Sequence, residues 1–461
     1  MRAALPSPSP LRDEIGATLR LAGPLAAANL LQMLVYAIDV IFVARLGQEA
    51  LAASSLAIAL FGLVAWSLSG LTGAAAPLVA AELGRRPHAV REVRRTVRMA
   101  LWLAIVGALA GMGVCALGEP LMRLTGQDPA VARRAGDFLA IVMFALPAMI
   151  ASNVLRTFVS TLGRPYFATA IAALAILVNA LGNWMFVFGH LGAPALGLEG
   201  SAISSVITSI ATFFAYVLAI RNDRRLRRYR VLGRFWRTEW RRLIQLARIG
   251  LPISATILAE AGLFSAAAFL MGRIGEAQLA GHTVALQVAA LAFQVPFGIG
   301  QAATIRVGHH FGAGDRAGMA RAGWVAIIAG TGFMAVTAGL MLLAPHLILS
   351  LYVDVSAPAN AVMVAFAVQY MVVAAAFQVF DGIQAVAAGA LRGLQDTRVP
   401  MLIAIFAYWV PGAAASVGLG LYTPLSGLGV WVGLLISLMV VAALLLWRWS
   451  RREHLRLVPG S

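Results

Sequence analysis

Long apolar runs, broken by short polar and arginine-rich stretches, dominate the chain. A membrane-spanning helix needs about 20 mainly apolar residues. Twelve stretches meet that length: 18–44, 51–80, 97–118, 136–161, 166–190, 197–220, 245–271, 279–306, 319–345, 358–390, 398–421 and 425–447. Several are longer than the hydrocarbon requires, which predicts tilt or extension beyond it. The two-residue alternation of a barrel strand is absent. The pattern predicts an all-α integral membrane protein of twelve transmembrane helices. Ahead of the first run, residues 1–17 predict a disordered cytoplasmic N-terminus. That first run is too long for a signal peptide and carries Asn29, Gln32 and Asp39.

The runs form a repeat. Pro24 corresponds to Pro252, Gly47 to Gly275, Leu51-Ala52 to Leu279-Ala280 and Gly84 to Gly312, all at one offset of 228. Leu155-Arg156 corresponds to Leu391-Arg392 at 236, after a short insertion. A constant offset across separated landmarks is a transporter signature. It predicts two pseudo-symmetric six-helix bundles, 18–220 and 245–447, joined by a basic linker at 221–244 and followed by a tail at 448–461.

Composition agrees with a lipid-facing exterior. The 461 residues are 61% apolar and 12% charged, against roughly a quarter charged in a soluble chain. The net charge of +17 raises the question of nucleic acid. All 36 basic residues are arginines, however, and they lie between the runs. Connections after spans 1, 3, 5, 7, 9 and 11 hold five of them, and most of the others follow the even-numbered spans. This asymmetry reports topology, not nucleic acid, and predicts both termini in the cytoplasm. The richest stretch, Arg221 to Arg248, holds eleven arginines and reads as an interfacial linker touching anionic headgroups. Cys115, the only cysteine, lies in an apolar run, so neither a disulfide framework nor metal spacing exists.

Charge inside a membrane is expensive, at least ~2.5–3.5 kcal/mol at the bilayer centre. Asp39, Glu260 and Asp381 fall well inside spans, so each needs a reason. Asn29, Gln32, Tyr36 and Asp39 recur on one helix face, and Asn179 and Asn183 share a face of span 5. Together they form a candidate polar site in the first half; interhelical hydrogen bonding is the alternative. In the second half Thr256 and Glu260 share a face. Gln378, Asp381 and Gln384 recur every three residues, and Gln287, Gln294 and Gln301 every seven. These groups form a candidate cage for Na⁺ or a carrier for H⁺, with a buried hydrogen-bonded acid pair as the alternative. The acids are not repeat-equivalent: Glu260 corresponds to Gln32, and Asp39 to Ala267. His282 reads as a cap or a bond to backbone, His309-His310 as a loop pair, and Arg306 and Arg392 as interfacial. No Walker A motif is present, which argues against ATP drive within the chain.

Ala259-Glu260-Ala261, Gly281-His282-Thr283-Val284-Ala285-Leu286-Gln287, Ile305-Arg306-Val307-Gly308-His309 and Gln378-Val379-Phe380-Asp381-Gly382-Ile383-Gln384 resemble spans 7, 8 and 10 of the multidrug and toxic compound extrusion (MATE) family, NorM-like branch. Gly389 to Gly393, Asp39 and Asn179 to Trp184 also match. The resemblance implies a secondary antiporter, not an enzyme, in the bacterial inner membrane. It implies export of small cationic or lipophilic drugs by a monomer in exchange for H⁺ or Na⁺, without a cofactor. It further implies that Glu260 and Asp381 form the coupling site, with Na⁺ as a candidate ligand. Asp39, Asn179 and Asn183 would form the polar site of the first half. Known members can carry a tyrosine four residues before the span-10 aspartate; here that residue is Phe377. A lipid-linked or polysaccharide precursor flippase of related architecture is the rival reading. It would need a cationic cavity, whereas the intramembrane charges are acidic.

Overall fold

The computed structural model describes residues 10–86, 88–233 and 235–458, and among them there is no strand. The helices are α1 (Pro10–Ala44), α2 (Gln48–Gly73), α3 (Ala75–Arg85), α4 (Val90–Ala116), α5 (Gly118–Leu124), α6 (Pro129–Val142), α7 (Ala145–Thr161), α8 (Tyr166–Phe188) and α9 (Leu198–Asn222). After the linker come α10 (Trp240–Ile274), α11 (Glu276–Ala313), α12 (Arg316–Leu343), α13 (Pro345–Leu349), α14 (Ala361–Gly393), α15 (Arg398–Ala407), α16 (Ala413–Leu421) and α17 (Gly427–Ser450). Among the described residues, eleven helices are long and apolar enough to cross a membrane. Counted as one span, the pair α6 and α7, bent by 51°, brings the number to twelve. The fourth predicted span, 136–161, is therefore a broken helix that starts earlier. Asp128 sets that start by accepting from the Ala130 and Val131 amides, with Pro129 in the first helical position.

Two compact units emerge, one of Ala27–Ile257 and one of residues up to Ala26 together with those from Leu258 onward. The predicted division at 221–244 is corrected by this arrangement. The units part inside α1 and α10, just past the repeat-equivalent Pro24 and Pro252. A proline lacks the amide that would close the preceding turn.

In the unit from Ala27 to Ile257, Met99, Leu139, Leu146, Ile150, Leu155 and Phe158 are fully buried. Leu109, Leu177 and Phe214 are more than half exposed, the belt expected where lipid replaces water. The linker does not hang free. Its Tyr229 packs edge-on against Phe158, and Phe235 stacks on Trp102, whose indole donates to the Phe235 carbonyl at 2.9 Å. Glu239 receives Arg95 at 2.7 Å and Arg98 at 2.8 Å. Arg242 reaches Glu82 at 3.0 Å and Glu92 at 2.7 Å.

In the other unit α11 and α14 cross at backbone contact. A Cβ on Gly389 would stand 2.3 Å from the Gly300 carbonyl oxygen. The Thr304 hydroxyl lies 2.8 Å from the Gly389 carbonyl and 3.0 Å from that of Gly300. Small residues permit such approach, and a hydroxyl secures it. This crossing sets the depth and rotation of the face bearing Asp381.

At the start of α1 the structure corrects three expectations. Residues 10–17 are helical; residues 1–9 lie outside the described part. Glu14 forms a bidentate pair with Arg306, at 2.8 and 2.6 Å, so that arginine does not snorkel. His310 belongs to α11 and lies between Glu14 (3.3 Å) and Asp315 (3.0 Å), while His309 is helical too.

Candidate functional site

The unit Ala27–Ile257 gathers donors around one carboxylate. Asp39 Oδ1 accepts from the amides of Asn179 at 2.9 Å and Asn183 at 2.7 Å. Its Oδ2 accepts from the Ser205 hydroxyl at 3.2 Å. Ser204 donates to the Asn179 carbonyl at 3.0 Å and accepts from Asn183 at 3.3 Å. Asp39, Asn179, Asn183 and Ser204 are buried. Gly182 makes the helix crossing possible: a Cβ there would come within 2.4 Å of Ser204 Oγ. Three donors on one buried carboxylate satisfy a group that would otherwise be costly in a membrane. A cation arriving at Asp39 has to compete with them.

The second cluster lies in the other unit. Glu260 Oε1 accepts from Gln384 Nε2 at 3.4 Å, and Gln384 Oε1 accepts from the Tyr408 hydroxyl at 2.8 Å. Asp381 lies within electrostatic range of Glu260 and Tyr408, and its buried Oδ1 has no partner among the described residues. Arg392 lies within electrostatic range of Glu260 and Tyr408. Tyr408 opens a π-helical turn, Tyr408–Gly412, between α15 and α16. Pro411 lies in that turn and has no amide for the Ala407 carbonyl, which accounts for the wider register. The result is two carboxyl groups, an amide, a phenol and a guanidinium inside one helical unit. Such a set can hold or release a small cation, because neutralising one acid relieves its repulsion of the other.

The predicted residues divide. Asp39, Asn179 and Asn183 meet, as do Glu260, Asp381 and Gln384. Tyr36 is half-buried and within electrostatic range of Asp39. Gln32 is exposed, and Asn29 instead accepts from Arg156 at 3.2 Å. Thr256 donates to its own helix at Pro252, 2.9 Å away, and belongs to the unit without Glu260. Gln287 is exposed, Gln294 donates back to Ala290, and Gln378 donates to Thr337 at 2.9 Å. His282 does not cap; it is buried edge-on to Trp431. Phe377 fills its place with aromatic contacts to Phe264 and Trp431.

Sequence reasoning missed Ser204, Ser205 and Tyr408, and assigned Arg392 to the interface. The serines had a signal: Ser201, Ser204, Ser205, Thr208, Ser209 and Thr212 trace one polar stripe. Tyr408 had none.

The MatE family model matches residues 24–185 and 252–416. The chain belongs to the MatE family. Its two MatE segments begin 228 residues apart, the offset of the repeat, and contain every acid of both clusters together with Arg392 and Tyr408. It is a multi-pass membrane transporter, not an enzyme. A probable multidrug resistance protein NorM of Mesorhizobium japonicum is 45% identical over 444 residues, covering 96% of this chain and 95% of the relative. Multidrug resistance protein NorM of Burkholderia vietnamiensis is 36% identical, covering 97% and 96%. Among solved structures, a eukaryotic MATE transporter shares the MatE fold with a TM-score of 0.86 at 19% identity, covering 97% of this chain and 100% of that one. A transporter of the MOP superfamily from Pyrococcus furiosus gives 0.85 at 20% identity, covering 96% and 97%.

Proposed function

We propose that this MatE transporter is a secondary multidrug antiporter. It exports small cationic or lipophilic drugs by alternating access, driven by inward movement of H⁺ or Na⁺. It works as a monomer in a bacterial inner membrane with both termini in the cytoplasm. The observation that carries this reading is the pairing of half-buried Glu260 with buried Asp381. Two acids in electrostatic range of each other within the spanning helices invite an exchangeable cation, and against the single guanidinium of Arg392 they leave an acidic excess that suits cationic cargo. The names of the NorM relatives support drugs as that cargo. The Asp39 cluster is the second polar site and answers to the cation or to the drug.

Between the two ions, the site favours H⁺. A hard metal ion seeks several oxygen ligands. Phe377 supplies none, Gln384 Oε1 is already taken by Tyr408, and Arg392 adds positive charge. A proton needs only one carboxyl oxygen.

Coupling requires that the ion bind the two transport states unequally. Ethidium or norfloxacin movement in proteoliposomes under separately imposed proton and Na⁺ gradients tests the proposal. Transport driven by the proton gradient alone is expected. Transport driven only by Na⁺ would reverse the ion assignment, and no gradient-driven transport of any cationic dye would remove the antiporter reading.

A further inference from the structure

The arginine-rich connection in the unit Ala27–Ile257 has two faces. Leu226, Tyr229 and Val231 are buried, while Arg224, Arg225, Arg227, Arg228 and Arg230 are exposed. The neighbouring acids are committed: Glu239 to Arg95 and Arg98, Glu82 and Glu92 to Arg242, Asp223 to Arg164 at 3.4 Å. Arg237, Arg241 and Arg248 are exposed, with no carboxylate partner among the described residues. Arg237 and Arg241 directly follow two tryptophans that face outward, Trp236 at 75% and Trp240 at 67% exposure.

The first turns of α10 show what this face meets. Trp240, Ile244, Leu251 and Leu258 are all exposed and follow one another at four, seven and seven residues, a single apolar stripe. A stripe of that kind on a spanning helix faces acyl chains. Arg241 and Arg248, seven residues and therefore two turns apart, run along its edge, about 10 Å from each other. Tryptophan belongs at headgroup depth. A guanidinium at that depth needs an oxyanion, and it matches a phosphate with two parallel N–H donors.

We propose that Arg237, Arg241 and Arg248, the first two directly following Trp236 and Trp240, form a binding site for an anionic glycerophospholipid. The arginines hold the phosphate and the tryptophans cover the glycerol and the start of the acyl chains. The preference for an anionic over a zwitterionic headgroup follows from the committed acids. Among the described residues beside the site no carboxylate is left unpaired to receive an ammonium group, and three guanidinium groups repel one.

The full-length protein, purified in detergent, is titrated with phosphatidylglycerol and with phosphatidylcholine, and bound lipid is counted by native mass spectrometry. Phosphatidylglycerol is expected to bind the wild type selectively. The triple variant R237Q/R241Q/R248Q is expected to bind it roughly tenfold or more weakly, since each basic residue near the surface contributes appreciably. The matched variant R224Q/R227Q/R228Q removes equal charge outside the site and is expected to retain most of the affinity. R237K/R241K/R248K keeps charge without the planar fork and should fall between. Size-exclusion profiles confirm folding, and W236A/W240A provides a second, uncharged test with the same expected direction. Equal loss in the two triple glutamine variants would show diffuse attraction and overturn the site. Undiminished binding in R237Q/R241Q/R248Q, or complete displacement of the lipid by millimolar inorganic phosphate, would overturn it too.

Discussion

The Tyr408 hydroxyl donates to Gln384 Oε1 at 2.8 Å, while the amide nitrogen of that glutamine donates to Glu260 at 3.4 Å. A residue on a π-helical turn is thereby connected to a carboxylate on α10. Tyr408 brings a phenol to the cluster, as Phe377, its ring packed on Trp431, does not. Tyr408→Phe leaves a buried amide oxygen unpaired, at about 1–3 kcal/mol. Its melting temperature should fall by several degrees, and drug efflux should weaken without being abolished. Efflux and melting indistinguishable from wild type would remove Tyr408 from the site.

The acids themselves should be indispensable. Glu260→Gln and Asp381→Asn retain shape and hydrogen-bonding capacity but lose exchangeable charge. Both should reach the membrane in normal amount and lose gradient-driven dye efflux. Full resistance in cells carrying either one would detach that acid from coupling.

Asp39 is held by three donors, so its neighbours should matter through it. Asn183→Leu removes the 2.7 Å bond and leaves a buried carboxylate less satisfied. A loss of stability of about 1–3 kcal/mol is expected. Asp39→Asn turns an acceptor that faces two amide donors into a mixed group and should lower transport more than stability. Thermal unfolding and dye efflux, measured on both variants, separate the two effects.

Gly389 should tolerate almost nothing. Even Gly389→Ala puts a Cβ 2.3 Å from a backbone oxygen, which no rotamer change can relieve. The helices must separate, and the variant should express poorly or melt well below wild type. Gly332→Ala, where a Cβ meets nothing within 4 Å, is the control and should behave as wild type.

Asp315 caps α12 by accepting from the Gly318 amide at 2.8 Å. That bond, with the charges of His310 and Arg321, holds its carboxyl below the usual carboxylate value of 3.8. A depressed folded pKa stabilises above the unfolded value, and the benefit disappears as pH falls through the folded one. Asp315→Ala should therefore cost about 1 kcal/mol near pH 7. The gap to wild type should close below pH 3.8, read from melting curves across that range.

The bidentate Glu14–Arg306 pair permits a double-mutant cycle. Glu14 is 5% exposed in its side chain, so Glu14→Gln strands a guanidinium and should destabilise by roughly 3 kcal/mol. Adding Arg306→Gln should restore part of that. Additive losses in the double variant would show that the two side chains do not interact.

Much of this protein could be read along the chain. Run length forced the spans, because lipid leaves the backbone no partner but its own helix. The offset of 228 disclosed the duplication. The price of charge in lipid singled out Asp39, Glu260 and Asp381. Periodicity also placed Asn179 and Asn183 on a common face, and both reach Asp39.

Which faces meet was decided only in three dimensions. Gln287 and Gln384 carry the same amide, yet one is exposed and the other joins Glu260. Helical periodicity states where a side chain lies around its own axis. It does not state how far the helix is rotated or how deep it sits against its neighbour. Those two quantities come from contacts such as Gly389 against Gly300 and from the π turn after Ala407, which bring Asp381 and Tyr408 into one cluster. Sequence alone thus determined what the membrane must accept; packing determined which polar groups satisfy one another inside it.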